Sequence, residues 1–123
     1  MLDARYELAK RYNQAFRKNQ YIDVPFIPDY VTFFNYQSYA TKIKKRLSYL
    51  IPKIINSLEK KGIVVKPGIR PIHLEPYYRE HFAKIRLKNT EEVSKSNIIL
   101  PLYPSLEKQK QDFVIKNLIA LLK

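Results

Sequence analysis

The sequence predicts an α+β fold: a small, mainly antiparallel sheet with about three principal helices packed on one face. Three observations carry this. Apolar residues recur at helical spacing in three separate stretches; β-branched and aromatic runs bounded by proline or glycine lie between them; and no linker, internal repeat or low-complexity tract divides the chain. A length of 123 residues, 46% of them hydrophobic and with ten tyrosines and six phenylalanines, suits one domain with a modest core.

The first element is a helix over about residues 3 to 18, because Leu8, Ala9, Tyr12, Ala15 and Phe16 fall on one face. Pro25 and Pro28 forbid a helix in the next stretch, and the β-branched and aromatic content from Tyr36 to Ile43 reads as a strand. Ile51, Ile54, Ile55 and Leu58 lay an apolar stripe along a second helix, with Pro52 in its first turn and Gly62 as its C-terminal cap. Ile63, Val64 and Val65 begin another strand. After one or two helical turns in EPYYREHF, Asn89 or Thr90 is expected to cap a short helix whose first turn carries Glu91 and Glu92 against the helix dipole. IILPLYP is extended, broken by Pro101 and Pro104. Val114, Ile115, Leu118, Ile119 and Leu122 form the face of a last helix, for which Ser105 is the expected cap. The sheet is therefore expected mainly from the Tyr36 and Ile63 strands. Part of the Leu8, Tyr12 and Phe16 face is expected to stay uncovered or to pair with a second copy of the chain.

The formal charge of +12 attracts phosphate, so nucleic acid, an anionic membrane or a nucleotide-bearing small molecule are admissible partners. Sixteen of the 23 basic residues are lysines spread along the whole chain, however, and the densest cluster is only Lys42, Lys44, Lys45 and Arg46. That distribution favours a solvated basic face without a dedicated polyanion partner and argues against nucleic acid. The absence of cysteine excludes disulfides and thiolate metal sites and fits a reducing compartment. The N-terminal stretch is charged, and no apolar run reaches the roughly 18 residues of a spanning helix, so a cytoplasmic location without a membrane partner is the expectation.

Recognisable catalytic chemistry is sparse. There is no metal-ligand spacing among the two histidines, and with Gly62 and Gly68 as the only glycines there is no glycine-rich phosphate loop. The segment KPGIRPIHLEPYY, residues 66 to 78, stands out: Pro67, Gly68 and Pro71 stiffen and direct the backbone toward His73, which sits between Ile72 and Leu74. His73 is open to two readings, a structural imidazole bonded to backbone or a ligand-facing one. Arg70 and Tyr77 share that ambiguity; each could meet a phosphate or a sugar hydroxyl, or simply cover its neighbours. His81, among charged residues, reads as a surface side chain.

NYQSY (35 to 39), KKGI (60 to 63), GIRPIHLEPYYRE (68 to 80), NTEEVSKSNIILPLYPSL (89 to 106) and QDFVI (111 to 115) together resemble the C-terminal small domain of the DegT/DnrJ/StrS family, pyridoxal-phosphate-dependent aminotransferases of nucleotide-linked keto sugars. The resemblance covers nearly the whole chain, with the blocks in the family's order. It implies that residues 1 to 18 correspond to the end of an interdomain helix and 19 to 123 to the small domain, of aminotransferase small-domain type. It implies further that pyridoxal phosphate and its imine-forming lysine belong to a large domain outside this sequence. The small domain would then close one side of the substrate cleft, with His73, Arg70, Tyr36, Gln37 and Tyr77 as substrate-binding candidates. No catalytic, cofactor-binding or metal-ligating residue is expected in the chain itself, which is expected to be inactive alone. The partners implied are the large domain or a companion chain and a nucleotide-sugar substrate. The alternative is a stand-alone basic module that binds a sugar nucleotide, nucleic acid or another chain; the nucleic-acid form of it predicts a basic groove floored by aromatics.

Overall fold

Helical spacing of Leu8, Ala9, Tyr12 and Phe16 produces α1 (Leu2–Phe16), whose apolar face is buried. The chain is described from a computed structural model that covers residues 1–82 and 84–123. After α1 come β1 (Ile22–Asp23), β2 (Tyr39–Ile43), a 3-10 turn at Lys45–Leu50 and α2 (Ile51–Glu59). Next are β3 (Lys66–Pro67), a 3-10 turn at Ile72–Leu74, α3 (Pro76–Phe82), α4 (Lys88–Ser96), β4 (Asn97–Leu100) and α5 (Lys108–Leu121). The sheet order is β1-β2-β4-β3 with every pairing antiparallel.

Strand alternation divides the sheet into two faces. Tyr39, Thr41 and Ile43 of β2 are buried together with Ile98 and Leu100 of β4, which the register places opposite Thr41 and Tyr39. This inner face shares one hydrophobic core with α1, α2 and α5, through Tyr12, Phe16, Ile54, Leu58, Val114 and Leu118. Ala40, Lys42, Asn97 and Ile99 lie on the outer face and are only half-buried; α4 packs on that side, against β2.

Pro52 falls in the first turn of α2, where its missing N–H is no loss. Three residues beyond its end, Gly62 with a φ of 75° lets the chain reverse and Ile63 N–H return to Leu58 O at 3.0 Å. Local details depart from the sequence expectations. The Tyr36 strand starts only at Tyr39, because Asn35 Oδ1 accepts Gln37 N–H and Tyr36 sits at φ 43°, both turn features. The Ile63 strand pairs only from Lys66 and is two residues long, so the main ladder is β2 with β4. Helix α4 starts before Asn89 and Thr90 and has no side-chain cap; instead Glu91 Oε1 reaches back to Leu87 N–H at 3.3 Å. Ser105 does not cap α5, whose N-cap is Glu107 without a side-chain bond.

The expected uncovered face of α1 is also absent. Leu8, Tyr12 and Phe16 are buried within the chain itself: Tyr12 stacks on Phe16 and lies 4.7 Å from the Tyr39 ring, and its hydroxyl donates to Pro101 O at 2.9 Å. Buried Gln111 of α5 donates to Leu8 O at 2.7 Å and accepts from Arg11, which also pairs with Asp112 at 2.8 Å. Other aromatics are exposed, among them Tyr6 elsewhere on α1 and Phe26, Tyr30 and Phe33 before β2. Among the described residues no helix is long and apolar enough to cross a membrane.

Candidate substrate cleft

The outer face of the sheet, α3, α4 and the segment leading to His73 enclose a cavity of about 870 Å³. Gly68 makes this enclosure possible. A Cβ there would stand 2.7 Å from the Ser94 carbonyl oxygen, so only glycine lets the segment run this close to α4. Gly68 N–H donates to Asn97 O at 2.8 Å and extends the β3–β4 pairing by one bond. Pro71 then holds the backbone extended before the turn that carries His73.

His73 lines the cavity and is 8% exposed. Its Nε2 lies 3.0 Å from Glu91 Oε1 on α4. An ionised carboxylate only accepts, so this nitrogen carries the proton and donates. That hydrogen bond, aided by Leu87 N–H and by Arg86, holds the Glu91 carboxyl below its ordinary range, against the opposing effect of burial. The imidazole is thus fixed by a carboxylate and not by backbone, while its ring faces the cavity. Arg70 is at the rim, its side chain 75% exposed and its Nε 3.4 Å from Glu75 Oε1.

The other three candidates lie away from this wall. Tyr77 is 71% exposed and packs edge-on to Tyr78, 5.2 Å between ring centres; Tyr78 and Phe82, one helical turn apart, face the cavity instead. Tyr36 is buried between Tyr6 and Phe34, and Gln37 is exposed. Arg5 donates to the carbonyls of both, at 3.2 and 2.6 Å, and so braces the turn from which Ser38 enters the cavity wall. His81 is a surface side chain bonded to Tyr77 O. Sequence reasoning missed Tyr78, Phe82 and Asn97. The Asn97 Oδ1 is buried without a hydrogen-bond partner among the described residues, and its side chain belongs to the cavity wall.

The wall is apolar apart from Arg70, His73 and a few neutral amide and hydroxyl groups. Among the described residues it offers no lysine to form an imine, and Glu91, the carboxylate behind it, is engaged by His73. A pyridoxal cofactor therefore does not fit these residues as its holder. A second cavity of about 650 Å³, beside Gly62 and the start of α5, does contain Lys61 and Lys110. Their amines are tied to Asn117 Oδ1 and Glu107 Oε1. Among the described residues no cluster of three or more His, Asp or Glu could hold a metal ion.

A sequence model of the DegT/DnrJ/EryC1/StrS aminotransferase family matches residues 1–119. The uncharacterized protein MJ1066 of Methanocaldococcus jannaschii is 33% identical over an alignment of 109 residues that covers 86% of this chain and 28% of that protein. Among solved structures, Helicobacter pylori PseC, an aminotransferase involved in the biosynthesis of pseudoaminic acid, superposes with a TM-score of 0.88 at 22% identity, over 98% of this chain and 32% of that one. The aminotransferase TlmJ from Streptoalloteichus hindustanus gives 0.86 at 21% identity, over 98% and 31%. NtdA from Bacillus subtilis, solved with bound PMP, gives 0.80 at 24% identity, over 97% and 28%. The solved structures establish the α+β fold, and this chain spans about a third of the length of each relative or less. By the match along nearly its whole length, the chain belongs to the DegT/DnrJ/EryC1/StrS aminotransferase family.

Proposed function

We propose that this chain is the substrate-cleft domain of a sugar aminotransferase that transfers an amino group to a nucleotide-linked keto sugar, working with a cofactor-binding large domain that its residues do not supply. Residues 1 to 18 form the end of the interdomain helix and 19 to 123 the small domain. The observation that carries this reading is coverage combined with chemistry. The family match takes in residues 1–119, yet the chain corresponds to only 32% of PseC and 28% of NtdA, and its main cavity has no amine for a pyridoxal imine. A cleft wall without the cofactor's lysine is what a domain facing a separately held cofactor requires.

In this reading His73 and Arg70 face the substrate, His73 as a pre-oriented hydrogen-bonding group and Arg70 as a mobile cation for phosphate. Gln37 is presented by the braced turn at Tyr36, and Tyr77 by the exposed side of α3. The cavity does not favour nucleic acid: its lining is mostly apolar, and among the described residues Arg70 is the one permanent cation in its wall.

The test has two arms. The purified chain mixed with pyridoxal phosphate should give only weak imine absorbance, readily competed by free amine, and no amino sugar when glutamate and a nucleotide-linked keto sugar are added. The same chain joined to a large domain carrying the imine lysine should produce amino sugar. Stoichiometric, saturable imine formation with turnover by the chain alone, or no turnover by the joined protein, would refute the proposal.

A further inference from the structure

We infer that the exposed aromatic residues at the start of α1 and in the segment before β2 form the face on which the cofactor-binding large domain docks. The identity of the partner rests on the proposed function; the face itself is read from composition, exposure and packing.

Lysine and arginine make up 23 of the 123 residues, yet none occurs from Asn19 to Thr41. The same stretch holds seven of the chain's sixteen aromatic residues. Phe26, Tyr30 and Phe33 are 87%, 84% and 64% exposed, and Phe34 is 43% exposed. Aromatics are enriched and lysine is depleted at the centre of protein interfaces, whereas a surface kept in water carries charge. A lysine-rich chain that withholds its cations from its most exposed rings therefore has the composition of a covered face here.

Packing ties this stretch to α1. The Phe34 ring meets Tyr36 edge-on, 4.8 Å between centres, and Tyr36 in turn packs against Tyr6 at 6.1 Å. Tyr6 and Leu2, one helical turn apart, are 53% and 48% exposed. Arg5 turns its guanidinium to the carbonyl oxygens of Tyr36 and Gln37. At about 150–250 Å² for each aromatic side chain, the exposed parts of Tyr6, Phe26, Tyr30, Phe33 and Phe34 come to roughly 650 Å². A specific interface covers about 800 Å² on each partner, so these rings with Leu2 approach the size of one.

Charge separates the occupants. Anionic lipid or nucleic acid would be met by cations set among the aromatics, and the stretch has none. A second copy would bring together two chains that each carry a charge of +12. A large domain joined through α1 needs no cation on this face, and the connection itself holds it there at high effective concentration. With residues 1 to 18 as the end of the interdomain helix, the joint lies at Leu2 and Tyr6, the near edge of the face. Docking there sets the exposed Gln37 at the seam between the two domains.

The experiment is hydroxyl-radical footprinting read by mass spectrometry, on the full chain alone and on the same chain joined to a large domain carrying the imine lysine. In the joined protein, oxidation of Tyr6, Phe26, Tyr30, Phe33 and Phe34 should fall about fivefold or more, as exposed rings become interface core. Tyr49 is 74% exposed and shares its 3-10 turn with Lys45 and Arg46; it should oxidise equally in both proteins. Phe26→Lys combined with Phe33→Lys, at two well-exposed positions, should leave the circular dichroism and melting of the chain alone unchanged and abolish the protection of Tyr6 and Phe34 in the joined protein. By light scattering the chain alone should be a monomer. Undiminished oxidation of the five rings in the joined protein, protection of Tyr49 to the same degree, or protection that survives the double substitution would each overturn the inference. So would a dimer of the chain alone that the double substitution dissociates, which would assign the face to a second copy. Amino transfer by the joined protein without protection refutes this face alone, protection without amino transfer refutes the aminotransferase reading alone, and the loss of both refutes both.

Discussion

Replacing Tyr12 by Phe removes a single oxygen and leaves the ring. That oxygen is 2.9 Å from Pro101 O, and among the described residues it is the only donor to that carbonyl. An unpaired buried carbonyl is unfavourable by about 1–3 kcal/mol, and because Pro101 is half-buried the lower part of the range applies, about 1.5 kcal/mol. In a domain of this size each kcal/mol moves Tm by about 4 °C, so Tyr12→Phe should melt about 6 °C lower. Tyr12→Ala also removes a fully buried ring that touches Phe16 and Tyr39, and should lose about 3–5 kcal/mol. The assay is thermal and urea unfolding followed by circular dichroism, with Tyr6→Phe as the control. Tyr6 is 53% exposed on the same helix, and its change should stay within about 0.5 kcal/mol of the parent. A Tyr12→Phe protein as stable as Tyr6→Phe would refute the seating of α1 on the sheet and return its apolar face to the list of uncovered surfaces.

Burial pushes the hydroxyls of Tyr12 and Tyr39 above their ordinary value of 10.0, so the folded state keeps protons that the unfolded state releases. Stability is therefore complete below about pH 10 and falls as pH rises above it; in an alkaline titration at 295 nm these two tyrosines should ionise only as the fold is lost. Glu91 has the opposite sign. Its carboxyl is held low by His73, so its contribution is present above the unfolded value of 4.5 and disappears as pH falls through the folded one; Glu91→Gln should flatten the acid limb of a stability-versus-pH curve. At Tyr36, with φ 43°, Tyr36→Gly should be more stable than Tyr36→Ala by about 1 kcal/mol in urea unfolding, whereas equal stability would show that the left-handed backbone is not maintained.

The helices were legible because their signals are local. Ile51, Ile54 and Leu58 with Pro52 and Gly62 specify α2 without reference to any other element, and the stripe from Val114 to Leu122 does the same for α5. Strand extents were less so. Ile63 and Val65 are buried and Val64 exposed, which is the alternation of a strand, but Ile63 N–H is still committed to the end of α2 and ladder bonds begin only at Lys66. Hydrogen-bond partners are a long-range property that periodicity does not carry. In the cleft, Pro67, Gly68 and Pro71 correctly marked the approach to His73. Which of Tyr77 and Tyr78 faces the cavity is not legible in the sequence, because α3 has seven residues and its rotational phase cannot be read from so short a segment. Glu91 as the partner of His73 is set by the packing of α4 on the sheet, eighteen residues away.

The contacts that seat α1 join residues far apart in the chain: Tyr12 to Pro101 across 89 positions, Arg11 to Asp112 across 101 and Gln111 to Leu8 across 103. At synthesis rates of about 5–20 residues per second, α1 waits roughly 5–20 s on the ribosome before α5 exists to receive it. Throughout that interval α1 can meet Tyr36 and Tyr39 but lacks Pro101 and α5, so its apolar face is only partly covered while the rest of the domain is being made. Closure of such a long loop comes late in folding, after the local helices and the β2–β4 ladder, and a stall or frameshift before residue 108 releases a product whose α1 keeps only its contacts to residues 36–39 and has no α5 to close over it.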